Sequence, residues 1–157
     1  MRQSSWLVVA LLGALVLIAV WPLLRPHPSE PVVRASWALT PGVLNPEVTQ
    51  ATIGSTICVR GWTKTVRPPT SYTNELKRRQ IHQYGLTGTL ADFQEDHLIS
   101  LELGGDPTDP HNLWPEPIKR ATEVDRIENE LNEKVCEGSL SLAEAQRRES
   151  QLKHDRG

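Results

Sequence analysis

Residues 95–105 read Glu95-Asp96-His97-Leu98-Ile99-Ser100-Leu101-Glu102-Leu103-Gly104-Gly105, and after a polar loop over 106–111 the chain continues Asn112-Leu113-Trp114-Pro115-Glu116-Pro117. An acid and a histidine stand side by side, an apolar run follows, and two glycines permit a tight turn that brings two extended segments together. Side chains alternate along a strand, so Asp96 and His97 are expected on opposite sides of the first segment. An Asp-His pair alone is common on protein surfaces; the whole constellation carries the information. His111, just ahead of Asn112, reads as a loop histidine.

Upstream, residues 53–66 hold Ile57, Val59, Thr63 and Thr65 together with Gly54 and Gly61, the pattern of a short strand or hairpin carrying Cys58. Pro68-Pro69 ends it. Residues 74–84 predict a helix with Thr73 as N-cap, Leu76 and Tyr84 among its apolar positions and Gly85 as its stop. Its Lys77-Arg78-Arg79 run reads as a solvated face. Downstream, Thr122-Glu123-Val124-Asp125 has capping-box character with Asp in place of Glu or Gln, and Val124, Ile127, Leu131 and Val135 form an apolar stripe that Gly138 closes. Ser141-Leu142-Ala143-Glu144 is a complete capping box for a further helix to about residue 153.

Residues 6–24 carry no charge and are dominated by Leu, Val, Ala and Ile, close to the ~20 residues of a bilayer-spanning helix. The run is longer than the apolar region of a signal peptide and lacks a small-x-small cleavage site, so it predicts a retained anchor, a cleaved signal being the alternative. Pro26, Pro28, Pro31, Pro41 and Pro46 make residues 25–46 a linker. The 157 residues therefore divide into an anchor over 1–24, a Pro-rich linker over 25–46 and one domain over 47–157. With 17 Lys plus Arg against 19 Asp plus Glu, the net charge of −2 excludes a globally basic polyanion binder. Any such contact is local. Cys58 and Cys136 are the only cysteines and form no Cys-x-x-Cys pair. In an exported domain a Cys58–Cys136 disulfide is the simplest account; two buried free thiols are the alternative.

The pattern over residues 95–117 resembles the HNH, or ββα-metal, nuclease family, and the flanks over 52–69 and 135–146 resemble an exported bacterial subgroup of it. The resemblance implies a small ββα-metal core. It makes Asp96 a ligand of a divalent ion, Mg2+ or Mn2+ foremost and Zn2+ as a further option. It makes His97 the base and Asn112 the residue that orients the loop and the histidine. These types belong together chemically, since phosphodiester hydrolysis needs a base for water and a cation for the charge developing on phosphate. The family's second ligand, a His or Asn early in the following helix, is missing from residues 118–123. Glu128 is the substitute, preferred over Asp125, which reads as a helix cap. Ser100 stands where relatives carry Pro, a change read as one of loop stiffness. Val124 stands where the subgroup often carries Lys, a departure that bears on activity.

The reading is an α+β fold: a ββα-metal core with additional helices, preceded by a transmembrane helix, held at the outer, periplasmic or cell-surface side of a membrane. The expected function is metal-dependent hydrolysis of DNA or RNA. The rival reading is a non-catalytic envelope module using the same fold as a binding scaffold. A purely structural metal site is the third, in which removing metal unfolds the domain.

Overall fold

In the computed structural model residues 32–157 are described, and the expected anchor and the first part of the linker lie outside them. Strands β1 (Phe93–His97) and β2 (Leu113–Pro117) form a two-stranded antiparallel sheet with Asp96 opposite Trp114 and His97 opposite Leu113. Pro115 and Pro117 lack an N–H and are compatible with the ladder because each strand has a single neighbour. Four helices accompany the sheet among the described residues: α1 (Trp62–Val66), α2 (Thr70–Gln83), α3 (Ile118–Cys136) and α4 (Leu142–Arg156). The fold is α+β, as the sequence implies. None of these helices is long and apolar enough to cross a membrane.

β2 runs directly into α3, with Pro117 at the N-cap position. The helix thus begins four residues before the expected cap, and Thr122 lies inside it. Proline presets φ near −65°, and nothing in Ile118-Lys119-Arg120-Ala121 opposes helix, so strand and helix join without a loop. The predicted stripe of α3 is buried at Val124, Leu131 and Val135, and Leu131 and Val135 pack with Val48, Ile57, Ile99, Leu103, Leu142 and Ala145. Fully burying each of the larger aliphatic side chains stabilises by about 1.5–3 kcal/mol. A second cluster joins Ala35, Leu98 and Trp114. Ser141 caps α4 as predicted, accepting from Glu144 N at 3.3 Å.

Two stretches differ from expectation. Residues 53–66 form no strand: a 3-10 turn over Ile53–Ser55 leads through further turns into α1. Thr52, Ser55 and Thr56 side chains bond backbone carbonyls three to five residues back, and Gly61 adopts φ 86°, so local bonding outcompetes strand pairing. Helix α2 starts at Thr70, directly after Pro69, rather than after Thr73, and ends as expected before Gly85. Its Lys77 is buried, donating to the Leu90 and Phe93 carbonyls at 3.0 and 2.7 Å, so this lysine is not part of a solvated face.

Much of the expected linker packs on the domain. Asn45 N donates to Gly104 O at 2.9 Å, Asp106 N to Val43 O at 2.8 Å and Ala35 N to Lys153 O at 3.0 Å, while Thr40 is fully buried. The first two contacts clamp the β1–β2 connection, and the third ties the segment to α4. Within that connection Gly104 has φ 75°, and a Cβ on Gly105 would lie 1.8 Å from Ile99 O, so no other residue fits there. Cys58 and Cys136 are joined as a disulfide, with Cα atoms 5.6 Å apart. It ties the turns ahead of α1 to the end of α3 across 78 positions, which chain-entropy reasoning values at about 4 kcal/mol.

Candidate functional site

His97 ends β1 and is 4% exposed. Its Nε2 donates to Pro107 O at 3.1 Å, which fixes the ring and places the proton on that nitrogen. Among the described residues no group hydrogen-bonds Nδ1, so its lone pair is available. Burial pulls the imidazole below the ordinary histidine value, with Asp96 and the Pro107 bond opposing the shift. At neutral pH the ring is therefore uncharged, the form a base requires.

Asn112 is fully buried where the connection enters β2. Its Oδ1 accepts from Ile99 N at 3.0 Å and Val43 N at 3.3 Å, and its Nδ2 donates to Ile99 O at 3.0 Å and Asp106 O at 2.9 Å. One side chain thus pins the segment after His97, the loop before Pro107 and the incoming N-terminal stretch. His111 is exposed and pairs with Asp109, a loop histidine as expected.

Asp96 faces α3 and α4, opposite to His97. It converges with Glu128, as two ligands of one cation should, but the group between them is the ammonium of Lys153. Nζ lies 2.8 Å from Asp96 Oδ2, 2.6 Å from Glu128 Oε1 and 3.4 Å from Glu149 Oε1, and it also donates to His97 O. The Lys153 and Glu149 side chains are fully buried, while those of Asp96 and Glu128 are 18% and 11% exposed. Burial would strip the lysine of its proton, but the three carboxylates outweigh it and hold the group well above the ordinary lysine range. Burial likewise pushes Glu128 and Glu149 up, with Lys153 opposing. A divalent ion takes oxygen ligands at roughly 2.0–2.6 Å. With an ammonium already bonded in that space, the residues as arranged do not fit one. No group of three or more metal-ligating side chains among the described residues is disposed to hold a metal. Asp125, the lesser candidate, is exposed.

Ser100 is buried, and its N–H donates to both oxygens of Glu149, at 3.0 and 3.1 Å. Its difference from proline is therefore more than stiffness: it supplies a hydrogen bond that anchors the carboxylate beside Lys153.

Several residues around the site went unassigned in the sequence. Glu149 and Lys153 lie on the inner face of α4 with Leu142, Ala145 and Gln146, a helical register that is legible only once polar residues are admitted to it. Arg67 caps α1 through its backbone N–H and is exposed; its side chain has no hydrogen bond or ion pair among the described residues, yet its charge reaches His97, Glu102 and Asp125. Glu95 has both oxygens buried without a hydrogen-bond partner, and burial raises its carboxyl to about 8 against the pull of Lys77. Glu116, bonded to Gln94 at 2.8 Å, is raised to about 7, first by burial and then by Asp96. Comparison with protein-family models, with curated proteins and with solved structures finds no match to this chain.

Proposed function

We propose that this domain hydrolyses phosphodiester bonds of nucleic acid, DNA or RNA, using the histidine base of the HNH-like nucleases its motif resembles. The observation that carries the reading is His97: a neutral imidazole with Nε2 committed to Pro107 O and Nδ1 left to take a proton from water. The β1–β2–α3 order, with Asn112 pinning the connection, supplies the rigid support such a base needs. Arg67 is the group we assign to the substrate phosphate, because it is exposed, unpaired among the described residues and electrostatically in reach of His97. The Cys58–Cys136 disulfide supports work in an oxidising compartment, at the outer face of the membrane into which residues 6–24 would insert.

The test is cleavage of plasmid DNA and of RNA by the full chain in mild detergent, with magnesium, with manganese and with chelator. His97→Ala should lower the rate by about 10² to 10⁴. A variant that cleaves at the wild-type rate excludes His97 as the base.

One observation favours the scaffold reading instead: the place between Asp96 and Glu128 is filled by a buried lysine. That reading predicts no cleavage of either nucleic acid under any of these conditions.

A further inference from the structure

We propose that Lys153 is the resident cation of the site, an internal ammonium standing where a divalent ion was expected, so that the domain folds and holds Asp96 and Glu128 in place without metal. The inference rests on reading Asp96 and Glu128 as a cation-binding pair and is independent of whether catalysis occurs.

An ammonium has three N–H donors and no acceptor. Those of Lys153 are met by Asp96, Glu128 and the His97 carbonyl, with Glu149 completing the cage as an ion pair. Its bonding capacity is spent inside the protein. The lysine is also fixed from behind. Leu142 and Ala145 place α4 in the main core, Gln146 Nε2 donates to Leu103 O at 2.8 Å, Ser100 N holds Glu149, and Ala35 N bonds the Lys153 carbonyl itself. The side chain is therefore not on a flap that swings aside; withdrawing it means moving a core helix.

Charge points the same way. Two of the four side chains in the cage, Lys153 and Glu149, have no solvent contact, so water does not screen the carboxylates from one another there. Removing the ammonium leaves three facing acids, an arrangement that is strongly unfavourable unless they take up protons or another cation. A divalent ion entering with Lys153 present would have to expel the ammonium and leave a buried amine beside it. The wild-type site should thus reject the ion that the same carboxylates would accept once the lysine is gone.

Manganese, read directly by its electron paramagnetic resonance signal, is the probe, with the full chain in mild detergent. Wild type should show no saturable Mn2+ binding, and its melting temperature should be the same in chelator and in Mn2+. Lys153→Met removes the charge while keeping most of the apolar stem; it should melt lower in chelator and regain several degrees with Mn2+. Stoichiometric Mn2+ binding by wild type overturns the proposal. So does a Lys153→Met protein that is as stable as wild type in chelator and indifferent to Mn2+. If Lys153→Met does not fold in either condition, the wild-type measurement decides. The absence of nuclease activity would overturn the catalytic reading and leave these binding and melting results untouched.

Discussion

Asn112 and Ile99 hold each other by two hydrogen bonds: Oδ1 accepts from the Ile99 N–H and Nδ2 donates to the Ile99 carbonyl, each at 3.0 Å. The amide thus imitates a strand neighbour at a point where the backbone has none. Asn112→Ala strands the N–H groups of Ile99 and Val43 and the carbonyls of Ile99 and Asp106, and should cost about 2–4 kcal/mol in a denaturant melt. Asn112→Asp keeps the acceptor but turns a carboxylate towards two carbonyls, so its deficit should shrink at acidic pH, where the carboxyl donates again. A deficit that is independent of pH would refute this account of the two bonds.

Arg67→Ala separates substrate binding from folding. The side chain is exposed and makes no described bond, so melting should be unchanged within error. If the guanidinium meets a substrate phosphate, kcat/KM should fall about 10- to 100-fold, mostly through KM, and lose part of its salt dependence. Arg67→Lys should recover some but not all of the loss. Wild-type kinetics in Arg67→Ala would remove it from the site.

Ser100→Pro tests the bond to Glu149 cleanly, because the backbone there, at φ −60° and ψ 155°, already suits proline. Losing the N–H should cost about 1–3 kcal/mol, offset in part by about 0.4–1 kcal/mol from the stiffer unfolded chain. Ser100→Ala keeps the N–H and removes a buried hydroxyl oxygen that has no partner, so it should be neutral or stabilising. If the two variants unfold at the same urea concentration, the Glu149 bond contributes nothing.

Glu95 makes stability depend on pH in an unusual direction. Its carboxyl, raised from 4.5 to about 8 by burial, keeps its proton in the folded state over a range where the unfolded chain has released it. Its contribution is complete below pH 4.5 and is lost as pH rises towards 8. Glu95→Gln should therefore match wild type near pH 4 and exceed it above pH 8, by on the order of 1–3 kcal/mol. Parallel pH–melting curves for the two proteins would show that burial of Glu95 carries no such penalty.

The legible parts of the sequence were those where one residue type has one physical job. Gly104-Gly105 marked the turn, the Val124/Leu131/Val135 stripe marked the inner face of α3, Ser141 marked the start of α4, and the two cysteines found each other. What stayed hidden depended on partners distant in sequence. Gln146, Glu149 and Lys153 look like a solvated surface until Leu103, Ser100 and Asp96 are brought against them. Lys77 reads as one of three basic residues, yet it caps the start of β1 from α2. Residues 53–66 misled because Ile57, Val59 and the threonines favour strand in isolation, while the threonine hydroxyls around them settle on nearby carbonyls.

The position of Lys153 also sets an order of events. It follows Asp96 by 57 positions and Glu128 by 25, so a chain emerging amino end first presents the acids of the cage before their counter-ion. Without α4, Asp96 on β1 and Glu128 on α3 would face each other with no cation between them. The last helix is therefore the latch of the domain, its ammonium closing a gap that the carboxylates alone would hold apart.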